Sequence, residues 1–209
     1  MHGLINRTLQ NFVSDTYGAA CWRDVATAAA LDVADFEAML HYEPAVTDRV
    51  LEAIVLVLDK TRETLLEDVG TYLVSHPHSQ GLRRLLRFGG VDFIEFLHSL
   101  DDLPGRARLA VPDLDLPDLE LRDFAQNRFA VVCSGSVPGF GHVLVGVLRA
   151  MADDYGTLVT LEHEGTGADG ERIAVTVVEA AFAEARAFEL GVPGPGQNVS
   201  CNRRREVSV

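Results

Sequence analysis

The apolar positions of the first hundred residues recur at the three- and four-residue spacing of helices that bury one face. Gly18 offers a stop for the first of these helices, and Pro104-Gly105 is expected to end the last one or to bend the chain sharply. The first half of the chain is therefore predicted to be helical. The predicted helices are residues 2–17, residues 22–30, a segment capped by Thr47 that runs to about Leu58, a segment that follows Thr61, and residues 91–103.

The pattern changes to alternation in the second half of the chain. Two hairpins are predicted, and a helix over residues 139–154 separates them. This order indicates an α+β fold with a small antiparallel sheet packed against helices. After Gly191 no periodic apolar pattern remains, which is typical of a flexible tail. The hairpins pair Leu119–Phe124 with Arg128–Cys133, and Thr157–Glu164 with Arg172–Glu179 around a turn from Gly165 to Gly170.

Composition and charge exclude several classes of partner. With 47% hydrophobic residues the chain can build a packed core, and its net charge of −13 opposes binding to nucleic acid. The apolar runs are much shorter than the roughly 20 residues of a membrane-spanning helix, and no signal peptide is evident. Three cysteines without metal-site spacing are expected to be reduced thiols. We therefore expect a cytoplasmic protein that does not insert into membranes.

The candidate catalytic and metal-binding residues form no complete pattern in the sequence. Cys133 and Ser134 lie near His142, but no nucleophile motif surrounds them, so no enzyme activity is predicted. The pair His76-Pro77-His78 has no third ligand nearby in the sequence, which favours a turn over a metal site. The arginines 83, 84 and 87 are expected to form a solvated basic face.

A set of collinear landmarks gives the chain a family resemblance. The landmarks are Met1–Asn6, Tyr17-Gly18 with Trp22, Asp24 and Val25, Phe96-Leu97-x-x-Leu100-Asp101-x-Leu103, Val111-Pro112, Pro117 with Leu119, and Gly139–Leu148. Over residues 1–179 the chain resembles the heme nitric oxide/oxygen-binding (H-NOX) domain, the sensor module of soluble guanylate cyclase and its bacterial relatives. The resemblance implies a helical lobe over about residues 1–60, an α/β lobe over about 61–180, a buried cofactor and a signalling partner protein. It leaves residues 181–209 as a largely flexible extension.

The chain departs from the family at the positions that hold heme. In the family the signature that ends at Leu103 is followed by the histidine that ligates iron, and here Pro104 follows. The family's Tyr-x-Ser-x-Arg motif, which binds the heme propionates, is also missing, because both possible alignments lack the Tyr and the Arg. No heme and no other cofactor is therefore predicted. The two alignments place Ser134, Ser136 and Pro138, or Cys133, Gly135 and Val137, at the motif.

The resemblance also implies a cavity at the place where relatives hold heme. Its lining positions are apolar in this chain, and an empty cavity of that size would forfeit packing energy. We therefore expect an elongated apolar ligand such as a fatty acid, with its head hydrogen-bonded to Ser134 and Ser136. The expected lining residues are Ile5, Leu9, Leu73, Val74, Leu97, Leu100, Pro104, Pro117, Val143 and Val147.

Together these observations predict a heme-independent sensor that binds a hydrophobic small molecule and signals to a partner protein. Two alternatives stay open at this point. One is a heme-based gas sensor that recruits His98 or His142 as its axial ligand. The other is a collapsed, ligand-free module for protein interaction.

Overall fold

The computed structural model describes residues 1–33, 35–135 and 137–187. Within them the chain forms eight α-helices and four strands, with short 3₁₀ turns at Pro77–Ser79 and Leu100–Asp102. The helices are α1 Gly3–Tyr17, α2 Ala19–Ala28, α3 Pro44–Leu58, α4 Arg62–Ser75, α5 Gln80–Arg87, α6 Phe93–His98, α7 Leu103–Ala110 and α8 Phe140–Tyr155. The strands are β1 Asp118–Ala125, β2 Arg128–Ser134, β3 Leu158–Gly167 and β4 Gly170–Glu179.

The four strands form one antiparallel sheet in the order β1-β2-β4-β3. Val131 of β2 pairs with Leu121 on one side and with Ile173 of β4 on the other. Helix α8 packs against this sheet, and its Leu148 and Met151 share a core with the inward-facing strand residues. The predicted α+β class with a small antiparallel sheet is therefore confirmed.

A second core lies among α1, α2, α3 and the first part of α4. Aromatic rings meet edge to face within it, as Phe12 does with Tyr72 and Trp22 does with Phe36. Helix α4 contributes to both cores, because its Leu65 packs into this one and its Val74 packs beneath α8. The two cores are therefore joined along α4.

Helices α4 and α8 touch through glycines. A Cβ on Gly70 would overlap the backbone carbonyl of Val143, and a Cβ on Gly146 would overlap that of Glu67. The hydroxyl of Thr71 donates to the carbonyl oxygen of Gly146 at 3.4 Å across the same contact. Both glycines are needed here for close approach of the two backbones.

Two of the three helix ends predicted from local capping are confirmed. Gly18 has a φ of +92° and follows the last residue of α1, and the Thr61 hydroxyl accepts from the backbone N–H of Thr64 at 3.2 Å. The prediction for Thr47 was wrong. Helix α3 begins at Pro44, and Thr47 lies buried inside it, where its hydroxyl donates to Oδ1 of Asn6 at 2.8 Å.

Other predicted boundaries also need correction. Pro104 does not end a helix; it lies in the first turn of α7, where its missing N–H costs no hydrogen bond. Helix α5 was not predicted, because its eight residues are rich in arginine and show a short apolar pattern. The turn of the second hairpin is shorter than the predicted turn from Gly165 to Gly170. It consists of residues 168–169, because β3 continues to Gly167 and β4 begins at Gly170.

The predicted solvated basic face on α5 is wrong for two of its three arginines. Arg83 and Arg87 approach the carboxylate of Asp154, with nitrogen–oxygen distances of 2.7 and 3.6 Å, and Asp154 is 1% exposed. The Arg87 guanidinium also lies over the Tyr155 ring, 3.9 Å from its centroid. Arg84 is exposed as predicted. The two arginines therefore tie α5 to the end of α8.

The segment after β4 folds back onto the same end of α8. The backbone N–H of Ala183 donates to the Gly156 carbonyl at 3.0 Å, and that of Arg186 donates to the Asp154 carbonyl at 3.0 Å. The side chain of Arg83 donates to the Ala187 carbonyl at 3.3 Å. Residues 188–209 of the predicted extension lie outside the described residues. None of the helices in the described ranges is long and apolar enough to cross a bilayer.

Candidate functional site

The apolar residues of the signature helix, the segment from Phe96 to Leu103 that carries the family signature, are tightly packed. Leu97 and Leu100 are both 0% exposed. Pro104, which follows them in the sequence at the start of α7, is also buried. A side chain that borders a void large enough for water keeps some accessible surface. In this structure, therefore, no water-sized void adjoins Leu97 or Leu100.

The structure distributes the other expected lining residues between the two cores. Leu9 belongs to the core of the N-terminal helices, and Leu73 and Val143 pack against that core. Val74 and Val147 belong to the core beneath α8, while Ile5 is half-buried on α1. These side chains therefore lie on both sides of the α4–α8 contact.

Pro117 lies instead in an open cleft of about 440 Å³. The cleft runs between the first turn of α4, the connection before β1, the end of β2 and the N-terminus of α8. Ser134 is exposed and does not line the cleft, whereas the neighbouring Cys133 and Gly135 do. Ser136 lies outside the described residues. The apolar part of the lining consists of Leu66, Pro117, Val137, Pro138 and Phe140.

The polar side of the cleft is organised by Glu171 of β4. Its carboxylate accepts hydrogen bonds from the backbone N–H groups of Gly139 at 2.8 Å and Gly141 at 3.0 Å. It also lies 3.0 Å from Nε2 of His163. A carboxylate at the first turn of a helix is favoured by the free N–H groups and by the helix dipole. Glu171 thus caps α8 from the neighbouring sheet.

Two imidazole rings stack in the same cleft. The rings of His142 and His163 lie 4.0 Å apart between centroids, with an interplanar angle of 15°. On its other side His142 places Nδ1 3.6 Å from the Glu67 carboxylate, which also pairs with Arg149 at 2.8 Å. The cleft therefore offers two imidazoles and the carboxylates of Glu63 and Glu171 beside its apolar lining.

Sequence reasoning missed His163 and Glu171 although the alternation of the strands contained a signal. His163 continues the row of Val159 and Leu161, and Glu171 continues the row of Ile173 and Val175. Polar residues in the inward row of a strand require a partner within the protein. Here the two residues are partners of each other across the β3–β4 hairpin.

The thiol of Cys133 is the potential nucleophile of the cleft, but its environment keeps it protonated. Burial, and to a smaller extent the Glu171 carboxylate, raises the pKa of Cys133 to about 12. A thiol is nucleophilic as the thiolate. The environment therefore does not activate Cys133 at neutral pH.

The comparison with protein families assigns the chain to a family. The model of the Haem-NO-binding family (HNOB) matches residues 2–163. The chain belongs to this family. Solved H-NOX structures share its fold. The unliganded Fe(II) H-NOX protein of K. algicida aligns with a TM-score of 0.71 and 18% identity, over 90% of this chain and 100% of that one. The S. oneidensis H-NOX protein in its Fe(II)NO state gives 0.69 and 17%, over 85% and 99%.

Curated relatives of this H-NOX domain are soluble guanylate cyclases. Cyclase 89Da of Drosophila melanogaster is 21% identical over 155 residues, which are 74% of this chain and 23% of that protein. Cyclase gcy-31 of Caenorhabditis elegans is 22% identical over 163 residues, 78% of this chain and 23% of the relative. The chain thus spans about a quarter of the length of these relatives. As a member of the H-NOX family it is a sensor domain, a signalling module.

The residues of this H-NOX domain do not fit heme, because those that ligate the iron and bind the propionates in the family are missing here. Pro104 carries no donor atom for iron. At the position of the arginine in the family's Tyr-x-Ser-x-Arg motif this chain has Val137 or Pro138, and neither can pair with a propionate. Of the alternative ligands, His98 is exposed on α6 with its ring edge-on to Phe129, and His142 is stacked on His163 in the cleft.

Proposed function

We propose that this H-NOX domain is a heme-independent sensor module that signals to a partner protein. The observation that carries the proposal is the packing at the signature helix. Pro104 supplies no ligand atom, and Leu97, Leu100 and Pro104 itself are all buried. The free thiols of Cys21 and Cys133 support a cytoplasmic location.

We infer that the ligand is a hydrophobic small molecule of fatty-acid type, bound in the cleft at Pro117. The cleft volume of about 440 Å³ lies within the range of small-molecule sites. Leu66, Pro117 and Phe140 offer an apolar wall for a hydrocarbon chain. The carboxylates of Glu63 and Glu171 oppose an anionic head, so a neutral head such as an alcohol should bind at least as well as a carboxylate.

The cleft is connected through α8 to the contact between α4 and α8. The first turn of α8 forms one wall of the cleft, and Gly146 in the same helix contacts α4. A ligand that displaces the start of α8 would shift this contact. For such a shift to carry a signal, the ligand must bind the two arrangements with different affinity. Hydrogen exchange with and without ligand should then differ along α4 and α8 as well as in the cleft.

The test begins with the purified protein as isolated. Its absorption spectrum is expected to show no Soret band, and mass spectrometry of its organic extract is expected to show a co-purified lipid. A fluorescent fatty-acid probe should bind and be displaced by palmitate and by hexadecanol. Thr166→Trp, at an exposed cleft position on β3, should weaken probe binding, whereas Thr160→Trp, exposed elsewhere on that strand, should not. Equal binding by both variants would contradict the cleft as the site.

A ligand-free interaction module is the second candidate, and the complete burial of Leu97 and Leu100 favours it. A core that is already packed gains nothing from a ligand. Under this reading the extract contains no lipid and the probe does not bind, while the heme-free spectrum is unchanged. A Soret band in the isolated protein would instead select a heme sensor with His98 or His142 as its ligand.

A further inference from the structure

Three metal-ligating side chains meet far from the cleft, where α1 ends and the turn after α4 begins. Asp15 lies in the last turn of α1, and His76 and His78 flank Pro77 just after α4. Oδ2 of Asp15 is 3.6 Å from Nδ1 of His76 and 3.3 Å from Nδ1 of His78. The third ligand that the His-Pro-His sequence lacked is therefore supplied by a residue about sixty positions earlier.

These distances match the separation between ligands on one metal ion. Zn²⁺ binds imidazole nitrogen and carboxylate oxygen at about 2.0–2.1 Å, so two ligand atoms on a tetrahedral ion are about 3.3–3.4 Å apart. The ligand atoms of Asp15, His76 and His78 all lie within 4.8 Å of one another. Small rotations of exposed side chains suffice to close the set around an ion, since His78 is 75% exposed.

Neighbouring groups hold the carboxylate and one imidazole in place. The Tyr72 hydroxyl donates to Oδ2 of Asp15 at 2.6 Å, and the Tyr72 ring stacks on His76 at 4.7 Å between centroids. Outer hydrogen bonds of this kind orient the ligands of metal sites.

From this geometry we propose that Asp15, His76 and His78 form a binding site for a divalent transition metal ion, with Zn²⁺ as the best fit. The ligand set is two imidazoles and one carboxylate, which leaves a fourth position open to solvent. An ion bound there ties the end of α1, which packs in the N-terminal core, to the turn that leads into α5. The proposal is independent of the ligand proposed for the cleft.

Zinc binding to the untagged, full-length protein tests this site. The protein is stripped with a chelator and dialysed against Zn²⁺, and metal content is measured. We expect one equivalent of zinc, at least tenfold weaker binding in His78→Ala and in Asp15→Asn, and unchanged binding in His98→Ala, which removes an exposed imidazole elsewhere. Circular dichroism of each variant verifies that it is folded.

Two further measurements make the outcome decisive. Zn²⁺ should raise the melting temperature of the parent protein and of His98→Ala but not that of His78→Ala, because an ion that binds only the folded state stabilises it. Co²⁺ in place of zinc should give the visible absorption of a low-symmetry site in the parent protein and in His98→Ala, but not in His78→Ala or Asp15→Asn. A parent protein that binds no zinc, or folded His78→Ala and Asp15→Asn proteins that bind it as tightly as the parent, would overturn the proposal.

Discussion

Gly146 of α8 lies against the backbone carbonyl of Glu67 in α4, with no room between them for a side chain. Gly146→Ala should therefore force the two helices apart and destabilise the protein by about 1–3 kcal/mol. Urea unfolding, followed by circular dichroism, measures the loss.

Gly105→Ala is the matched control for this substitution. Gly105 also lies in a helix, but a Cβ there meets nothing within 4 Å. Alanine should leave stability unchanged or raise it by up to about 1 kcal/mol, because it favours helix. If both variants unfold at the same urea concentration as the parent, the close α4–α8 contact is not a feature of the protein in solution.

The buried carboxylate of Asp154 should be a second point of high sensitivity. Asp154→Ala would leave Arg83 and Arg87 largely buried without this carboxylate, and removal of one partner of a buried ion pair costs about 3–5 kcal/mol. Thermal unfolding checks this expectation. Asp153→Ala, at the exposed neighbouring position, should change stability by less than about 0.5 kcal/mol. Similar melting temperatures for the two variants would contradict it.

The sequence predicts the features that depend on neighbours in the chain. The cap by Thr61, the stop at Gly18 and the inward rows of the hairpins were all visible, because each depends on residues a few positions apart. Pro104 was misread as a helix end, and Pro44 was not used to place the start of α3, although proline is favourable in the first turn of a helix and unfavourable later.

Features that join distant segments could not be predicted in this way. Nothing in the sequence places Asp15 beside His78, or Glu171 at the start of α8. The family resemblance gave the fold and identified the missing heme ligand. It could not show whether the space beside Leu97 would be empty or filled, because that depends on how α7 and the neighbouring helices pack.

A third prediction measures how full the core is at one expected lining position. Val147 is 8% exposed and lies on the buried face of α8, in the packed core. Val147→Trp should overpack it and cost about 1–3 kcal/mol, whereas Val178→Trp at a 55% exposed position should be nearly neutral. Chemical denaturation of both variants, after extraction of any bound lipid, gives the comparison. A Val147→Trp protein as stable as the parent would indicate a cavity at this position.

The raised pKa of Cys133 predicts both low reactivity and a pH effect. With a pKa of about 12, only about one thiol in ten thousand is ionised at pH 8. In a Cys201→Ser background, a thiol reagent should therefore modify Cys21, which is half-buried, and leave Cys133 unmodified until the protein unfolds.

The direction of the pH effect follows from proton binding. Between the ordinary thiol pKa of 9.0 and about 12, the folded protein holds a proton that the unfolded chain releases, so the Cys133 contribution to stability falls as pH rises through this range. Cys133→Ala should reduce that decline. Rapid modification of Cys133 in the folded protein at pH 8 would show that the thiol is accessible and ionised.

Titration of the purified protein with hemin tests heme independence most directly. We expect broad, non-stoichiometric absorbance. Pro104→His should restore heme binding only weakly, because the Tyr and Arg of the family's propionate-binding motif remain absent. A sharp Soret band that saturates at one heme per chain in the parent protein, and disappears in His98→Ala or His142→Ala, would contradict the account.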